Sequence, residues 1–534
     1  MIRRLASIPG FVFGVVVVWK FSLLAFFAQS IPLSDSFFYD GAVVNLLNGA
    51  GYCNPSLEIV LPISATQVFS AYPPLYQGVL WLWMSVFGTG VGAAMWLHFA
   101  LFVAYGLAGL AVLREVGTPA GWVNFGSLFL FGITFQDRPD SLALGLGCWA
   151  LYAWLRARRA PGGAWCWLAV GLNVLALATG LQIGLACLAW CWGLVLAQSW
   201  IHRQSVPWLP LGISVLVPAA LVLGVRCGAP QLWAGFQEHV AQTPTLLGWH
   251  VENSVGLLKS HLFKLARTAP GILFAFGCFG WWWIRVGRSG LANKAAIFLA
   301  VTFGVVACLI FAATVLLMPN VILWLAYLQP LIVALTLMLW ALPAGPARGS
   351  PCLTCVFGLL ALVVAIRAIG ISTWGVACSL DLSQAESERR VQQVIAATPR
   401  GDTMVFSAPF LYEANRHREV RSLHVDWLSS FRKPVNLTQR LTEIRPVRLV
   451  LSQFDWYRSF ESIVADLRRR TEVDTITVTN TAGRRPPDAF PKMQRILQHI
   501  SWAPVIVELS WKPVVPQPTA SPAAAAGAVP ADGR

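Results

Sequence analysis

The sequence predicts an all-α polytopic membrane domain of about eleven transmembrane helices followed by a small C-terminal α/β domain in water. Three observations predict it. Hydrophobic residues make up 56% of the 534-residue chain and charged residues 12%, against roughly 45–50% and 25% in soluble domains. Long apolar runs recur through the first 378 residues, and the composition turns polar after Cys378. A soluble fold is excluded.

The apolar runs lie near 10–31, 91–113, 118–136, 140–156, 164–178, 181–199, 206–226, 269–285, 295–317, 321–343 and 351–377. Each approaches the roughly 17–25 residues that cross hydrocarbon, the shorter ones by tilting or by re-entering. The first run exceeds a signal-peptide core and lacks a small-residue cleavage pattern, so it reads as a retained helix.

Orientation follows from the short loops. Arg3, Arg4, Arg114, Arg156, Arg158, Arg159, Arg203, Arg285, Arg288, Lys294 and Arg348 all fall on one side if the runs alternate, and that side is the cytoplasm. The opposite side receives 32–90, which has no Lys or Arg, the turn carrying Arg138, the loop 227–268 and the C-terminal region. The expectation is a multi-pass protein of the inner (plasma) membrane, with a cytoplasmic N-terminus and a periplasmic or extracellular C-terminal domain.

The segment Pro74–Gly88 is apolar but about half a bilayer long. Counted as a full span it would put the Arg156–Arg159 cluster outside. It therefore reads as a helix lying at the outer interface, with Tyr76, Trp81 and Trp83 at headgroup depth.

Most of the eleven cysteines sit inside apolar spans and behave as small hydrophobes. Cys352 and Cys355 have CxxC spacing without a second pair, which favours packing over metal or redox chemistry. A disulfide among Cys53, Cys227 and Cys378 stays open.

Residues 379–511 alternate helical and strand-like patterns. A capping box opens a helix at Ser383 with Glu386 three residues on. Strand-like runs follow at Thr403–Ser407, Arg448–Ser452, Asp474–Thr479 and Val505–Leu509, with helical patterns near 436–444, 457–470 and 490–500. This predicts a small α/β domain with a mostly parallel sheet that folds independently. No glycine-rich nucleotide loop occurs, and no nucleic-acid partner is expected. The basic groups Arg468–Arg470 and Arg484–Arg485 read as a solvated face, and residues 512–534 as a disordered Pro/Ala tail.

Acidic residues in the membrane half concentrate at the outer surface: Asp35, Asp40 and Glu58 in one loop, Asp137 and Asp140 around Arg138-Pro139 in another. Ionisable groups at membrane depth are costly and read as functional by default. Helix capping by Asp35 and by Asp140 is the competing structural reading.

Asp35-x-x-x-Tyr39-x-x-Ala42-x-x-Leu46-x-x-Gly49, then Tyr72-Pro73-Pro74-Leu75-Tyr76, then Phe87-Gly88, resembles the first outer loop of GT-C glycosyltransferases of the protein O-mannosyltransferase and lipid A aminoarabinose transferase type. Arg138-Pro139-Asp140 resembles that family's second outer acidic loop, and Tyr327 with Pro330 resembles its tyrosine-proline pattern, although core packing also accounts for that pair. Ser36 departs from the Glu that follows the aspartate in many members. The resemblance implies a GT-C membrane domain over 1–378. It also implies an inverting transfer of sugar from a polyprenyl-phosphate donor to a lipid, glycan or protein acceptor at the outer face, among membrane lipids. No cofactor is implied; a divalent metal stays open, without ligands assigned. The expected roles are Asp35 as general base with Asp140 supporting it, and Arg138, Lys259, Lys264 and Arg267 as donor-phosphate cations. Tyr39, Asp40, Pro73, Pro74 and Tyr76 would form the substrate loop. Lys259 and Lys264 also fit snorkelling from a loop helix.

A transporter or flippase of lipid-linked sugars would need many helices and few charges too, with matching halves and functional charges near midplane. No internal repeat is present, and Lys20 and Arg367 lie near enough to span ends to snorkel. A polysaccharide polymerase or ligase would place its key loop later, at 227–268 with His239, His250 and His261, which show no metal-ligand spacing.

Overall fold

The computed structural model describes residues 8, 10–28, 36–115, 123–124, 127, 139–157, 163–202, 205–242, 351–417, 419–428, 436–452, 454–455, 458–480 and 502–513. The membrane half contains α1 (Phe11–Phe27), α2 (Ser36–Leu47), α3 (Pro62–Thr66), α4 (Leu75–Phe87), α5 (Val91–Glu115), α6 (Asp140–Ala157), α7 (Ala164–Thr179), α8 (Leu181–His202), α9 (Trp208–Gly228), α10 (Pro230–Gln242) and α11 (Pro351–Asp381). Among the described residues, α5 and α9 are long and apolar enough to cross a membrane by length and composition, while α1, α4 and α7 are shorter apolar helices. The expected spans at 118–136, 269–285, 295–317 and 321–343 lie wholly or mostly outside the described residues.

Helices α5 and α6 run in the same direction. Gly145 lies against the Tyr105 backbone, and one helix length further on Arg156 pairs with Glu115 at 2.9 Å. Lys20 departs from the snorkelling expectation: it is buried on α1, with its ammonium 5.3 Å from the Phe102 ring centroid on α5. The ring's quadrupole offers the cation an inward partner.

Helix α4 is one-sided. Tyr76, Leu80 and Met84 recur at helical spacing on its buried face together with Gln77, whereas Trp81, Leu82, Val86 and Phe87 are exposed. Its thirteen residues span about 20 Å, short of a ~30 Å hydrocarbon core. Gly88, at φ 90°, ends it in a conformation that disfavours side chains. The Trp83 indole then donates to the Ala93 carbonyl at 2.8 Å, closing the turn onto α5.

The C-terminal half continues with α12 (Gln384–Ala396), β1 (Thr403–Phe406), α13 (Ala408–Ala414), β2 (Arg421–His424), α14 (Leu437–Ile444), β3 (Arg448–Leu451), a two-strand ribbon of β4 (Phe454–Asp455) and β5 (Arg458–Ser459), α15 (Phe460–Arg468), β6 (Val473–Asn480) and β7 (Val505–Trp511). The capping box forms as expected at α12, where Ser383 Oγ accepts from the Glu386 amide at 3.2 Å. The five-stranded sheet has order β2-β1-β3-β7-β6. It is mixed rather than mostly parallel. The β1 ladders with β2 and β3 are parallel, but β7 runs antiparallel to both β3 and β6. Strand alternation alone carries no directional information, which is why the pattern of runs mispredicted this.

That sheet has two buried faces. Val405, Leu449 and Leu451 point into a core with Leu441, Ile463 and Leu467 of the domain's own helices. The alternate residues Met404, Phe406 and Val450 point the other way, into a core shared with Phe37, Phe38, Leu57, Phe69 and Tyr76 of the first outer loop. The boundary in composition after Cys378 is therefore not a boundary in packing. Trp502, fully buried, donates from its indole to the Ala28 carbonyl at the end of α1 at 3.1 Å.

Candidate functional site

Residues 36–90, which contain the loop motif, are held together by buried polar groups. In α2 every side chain from Ser36 to Asn45 is buried. Gly41 allows this, because a Cβ there would meet the Asn54 side chain at 2.4–2.7 Å. The Asn54 amide donates to the carbonyls of Phe37 and Phe38 at 2.9 and 3.3 Å, and Ser56 donates to its oxygen at 2.6 Å. The turn of the loop is thus tied back onto the start of α2.

Asp40 lies at the centre of this unit with no exposed surface. One carboxylate oxygen accepts from the Tyr76 hydroxyl at 2.9 Å, the other from the Tyr412 hydroxyl at 2.6 Å. Burial pushes the Asp40 carboxyl up to about 7, while the hydrogen bonds from Tyr412 and Tyr76 hold it down. Tyr76 has a single hydroxyl proton, which it gives to Asp40. Its 3.1 Å contact with His98 Nε2 therefore requires the imidazole to donate. The result is a buried chain of four groups: Tyr412 on α13, Asp40 on α2, Tyr76 on α4 and His98 on α5.

Beside it, aromatic rings from separate segments pack together. Tyr39 meets Tyr72 edge-on at 4.7 Å, and Phe38 lies 4.5 Å from Trp427 and 5.6 Å from His239. Burial lowers the His239 imidazole to about 4, so it is neutral at physiological pH. Next to His239 on α10, Glu238 accepts from the Ile63 and Ser64 amides at 2.9 and 3.2 Å, satisfying the start of α3. Helix α10 is thereby docked on the start of α3.

Of the residues expected at the site, Tyr39, Asp40 and Tyr76 come together in this unit, and Pro74 caps the start of α4 directly after Pro73. Asp140 occupies the first turn of α6, beside Gly180 at the turn between α7 and α8. Leu142, two residues on, packs against the core that holds Asp40's neighbours, so this end of α6 borders the outer-loop unit. Asp35, Arg138, Lys259, Lys264 and Arg267 lie outside the described residues, as do Asp137, His250, His261, Tyr327 and Pro330. Among the described residues no group of three or more His, Cys, Asp or Glu side chains could hold a metal ion. Among the described residues no disulfide joins Cys53, Cys227 and Cys378.

Sequence reading missed Tyr412 and the helix that carries it. The signal was present: Ser407 followed by Ala408-Pro409 is a helix-start pattern. Its seven residues are too few for apolar periodicity to register. Ser407 here accepts from the Ser452 amide at 2.8 Å, fixing α13 to the end of β3.

No family model and no curated protein matches this chain. Among solved structures it is similar to ArnT from Cupriavidus metallidurans bound to undecaprenyl phosphate, at 14% identity and a TM-score of 0.47, covering 93% of this chain and 97% of that one. It is also similar to the archaeal oligosaccharyltransferase AglB from Archaeoglobus fulgidus in complex with an inhibitory peptide and a dolichol-phosphate, at 12% identity and a TM-score of 0.42, covering 83% and 69%.

Proposed function

We propose that the chain is a GT-C type glycosyltransferase of about eleven transmembrane helices. In this reading it moves a sugar from a polyprenyl-phosphate donor to an acceptor hydroxyl or amine at the outer face of the cytoplasmic membrane, with inversion. The observation that carries the reading is the Tyr76–Asp40 hydrogen bond. It joins the Ser36–Asp40 segment and the Tyr72–Tyr76 segment of the motif into one packed unit. From that unit α4 extends with an exposed apolar face suited to the membrane interface.

The chemistry follows from the residues. An acceptor hydroxyl loses its proton to Asp35 as its oxygen attacks the anomeric carbon, on the face opposite the phosphate. The anomeric C–O bond breaks, and its electron pair leaves with polyprenyl phosphate. Arg138, with Lys259, Lys264 or Arg267, neutralises the charge that develops there. Asp140, at the positive first turn of α6, orients Arg138 or the acceptor. Asp40, lacking exposed surface, touches no substrate and holds the loop.

Deleting the gene and profiling lipid-linked sugars and surface glycans by mass spectrometry tests this. The expected result is accumulated polyprenyl-phosphate sugar together with one missing substituent. Accumulated donor with every substituent present would overturn transfer in favour of transport.

A further inference from the structure

We infer that the outer edge of β6 is a self-association surface: β6 pairs antiparallel with β6 of a second copy of this chain, across a two-fold axis at Thr477. The inference goes beyond the transfer reading and does not depend on it.

The five-stranded sheet ends on β2 at one side and on β6 at the other. An edge strand presents a row of backbone N–H and C=O groups that can template another chain. Edges are therefore kept short, charged, interrupted by proline or covered. Edge β2 follows that rule. It has four residues, the turn Pro55–Leu57 lies against it, and Arg421 at its start is joined to Glu58 by two 3.0 Å contacts. Edge β6 does not follow it. With eight residues it is the longest of the described strands. Strand β7 takes one side of it, and among the described residues no strand takes the other. It contains no Pro, Lys or Arg. Its one charge, Asp474, sits at the irregularity between Val473 and Thr475, which leaves the run from Thr475 onward in regular register.

The side chains say which partner fits. Ile476 and Val478 are half-buried against the core that holds Leu441, Ile463 and Leu467, whereas Thr475, Thr477 and Thr479 are exposed. Residues opposed in an antiparallel pair share a face. An axis at Thr477 thus sets Ile476 opposite Val478 of the second copy, Thr475 opposite Thr479, and Thr477 opposite itself. Aliphatic β-branched residues meet on the core face and threonines meet on the other, pairings that stabilise sheets. The two Asp474 carboxylates fall at opposite ends of the interface, about 20 Å apart. Neighbouring axes lose this match: one at Ile476 sets Asp474 opposite Val478, and one at Val478 sets Ile476 opposite Asn480.

The test measures the mass of the purified full-length protein in detergent by light scattering, corrected for bound detergent. Wild type should be a dimer. Thr477→Lys opposes two ammonium groups on the axis and should raise the dimer dissociation constant by roughly tenfold or more, while Thr477→Val should leave it a dimer. Thr477 is exposed, so both variants should keep the wild-type unfolding temperature. The register is read separately by oxidative cross-linking, with the native cysteines of the wild type as baseline. Thr477→Cys should cross-link to itself. Thr475→Cys and Thr479→Cys should each stay at baseline alone and cross-link when mixed. A monomeric wild type, a dimer that Thr477→Lys leaves intact, or cross-linking no stronger at 477 than at 475 would each overturn the inference. Turnover is not a readout, so any of these results leaves the transfer reading standing.

Discussion

The Tyr412 hydroxyl donates to the Asp40 carboxylate at 2.6 Å although 372 residues of sequence separate them. This bond joins the C-terminal sheet domain to helix α2, and the same carboxylate is shared with Tyr76. The consequences can be measured separately.

Stability should depend on pH through Asp40. Its carboxyl stands at about 7 in the folded chain against an ordinary 3.8, so the folded state keeps a proton that the unfolded chain releases. The sign follows: this contribution is fully present below about pH 4, is lost as pH rises through 7, and is at most on the order of 4 kcal/mol. Asp40→Asn cannot ionise and should flatten thermal stability between pH 4 and 7. An unchanged slope in the variant would mean that another group sets the pH dependence.

Asp35→Asn should lower turnover of a purified polyprenyl-phosphate sugar roughly a hundredfold or more at normal expression, because amide for carboxylate removes basicity and keeps size. Loss of a helix cap alone would cost at most about 1 kcal/mol of stability with near-normal turnover. Asp140→Asn should cost less activity than Asp35→Asn. An active Asp35→Asn protein would remove Asp35 from catalysis.

The contacts between the C-terminal domain and the outer loop should be very unequal in energy. Trp502 is fully buried and bonded to the end of α1, so Trp502→Ala should destabilise by about 3–5 kcal/mol. Arg421 pairs with Glu58 through two 3.0 Å contacts, but both side chains are 42% exposed. Arg421→Ala should therefore cost no more than about 1 kcal/mol. Comparable losses measured by denaturant unfolding would contradict the packing argument.

Reporter fusions after Arg159 and after Leu380 should report opposite compartments, cytoplasmic and outer respectively, given the arginines of the short loops. Matching compartments would sink the eleven-helix topology.

The sequence by itself determined the local elements whose signals are strong over a long window: the apolar helices from α5 to α9, the short apolar helix α4, and the strands around Val405, Leu449, Ile476 and Val507. It also marked Asp40, Asp140 and the Asp35-to-Tyr76 motif. Tertiary structure alone decided which acid is buried, because burial is a property of neighbours and not of the residue. Nothing near Asp40 in the chain announces Tyr412. It alone decided that β7 runs antiparallel, and that the even face of the sheet, Met404, Phe406 and Val450, packs on the loop 36–90 as well as on its own helices α12 and α13. Period-two alternation says that a strand has two faces; only the folded chain says what each face meets.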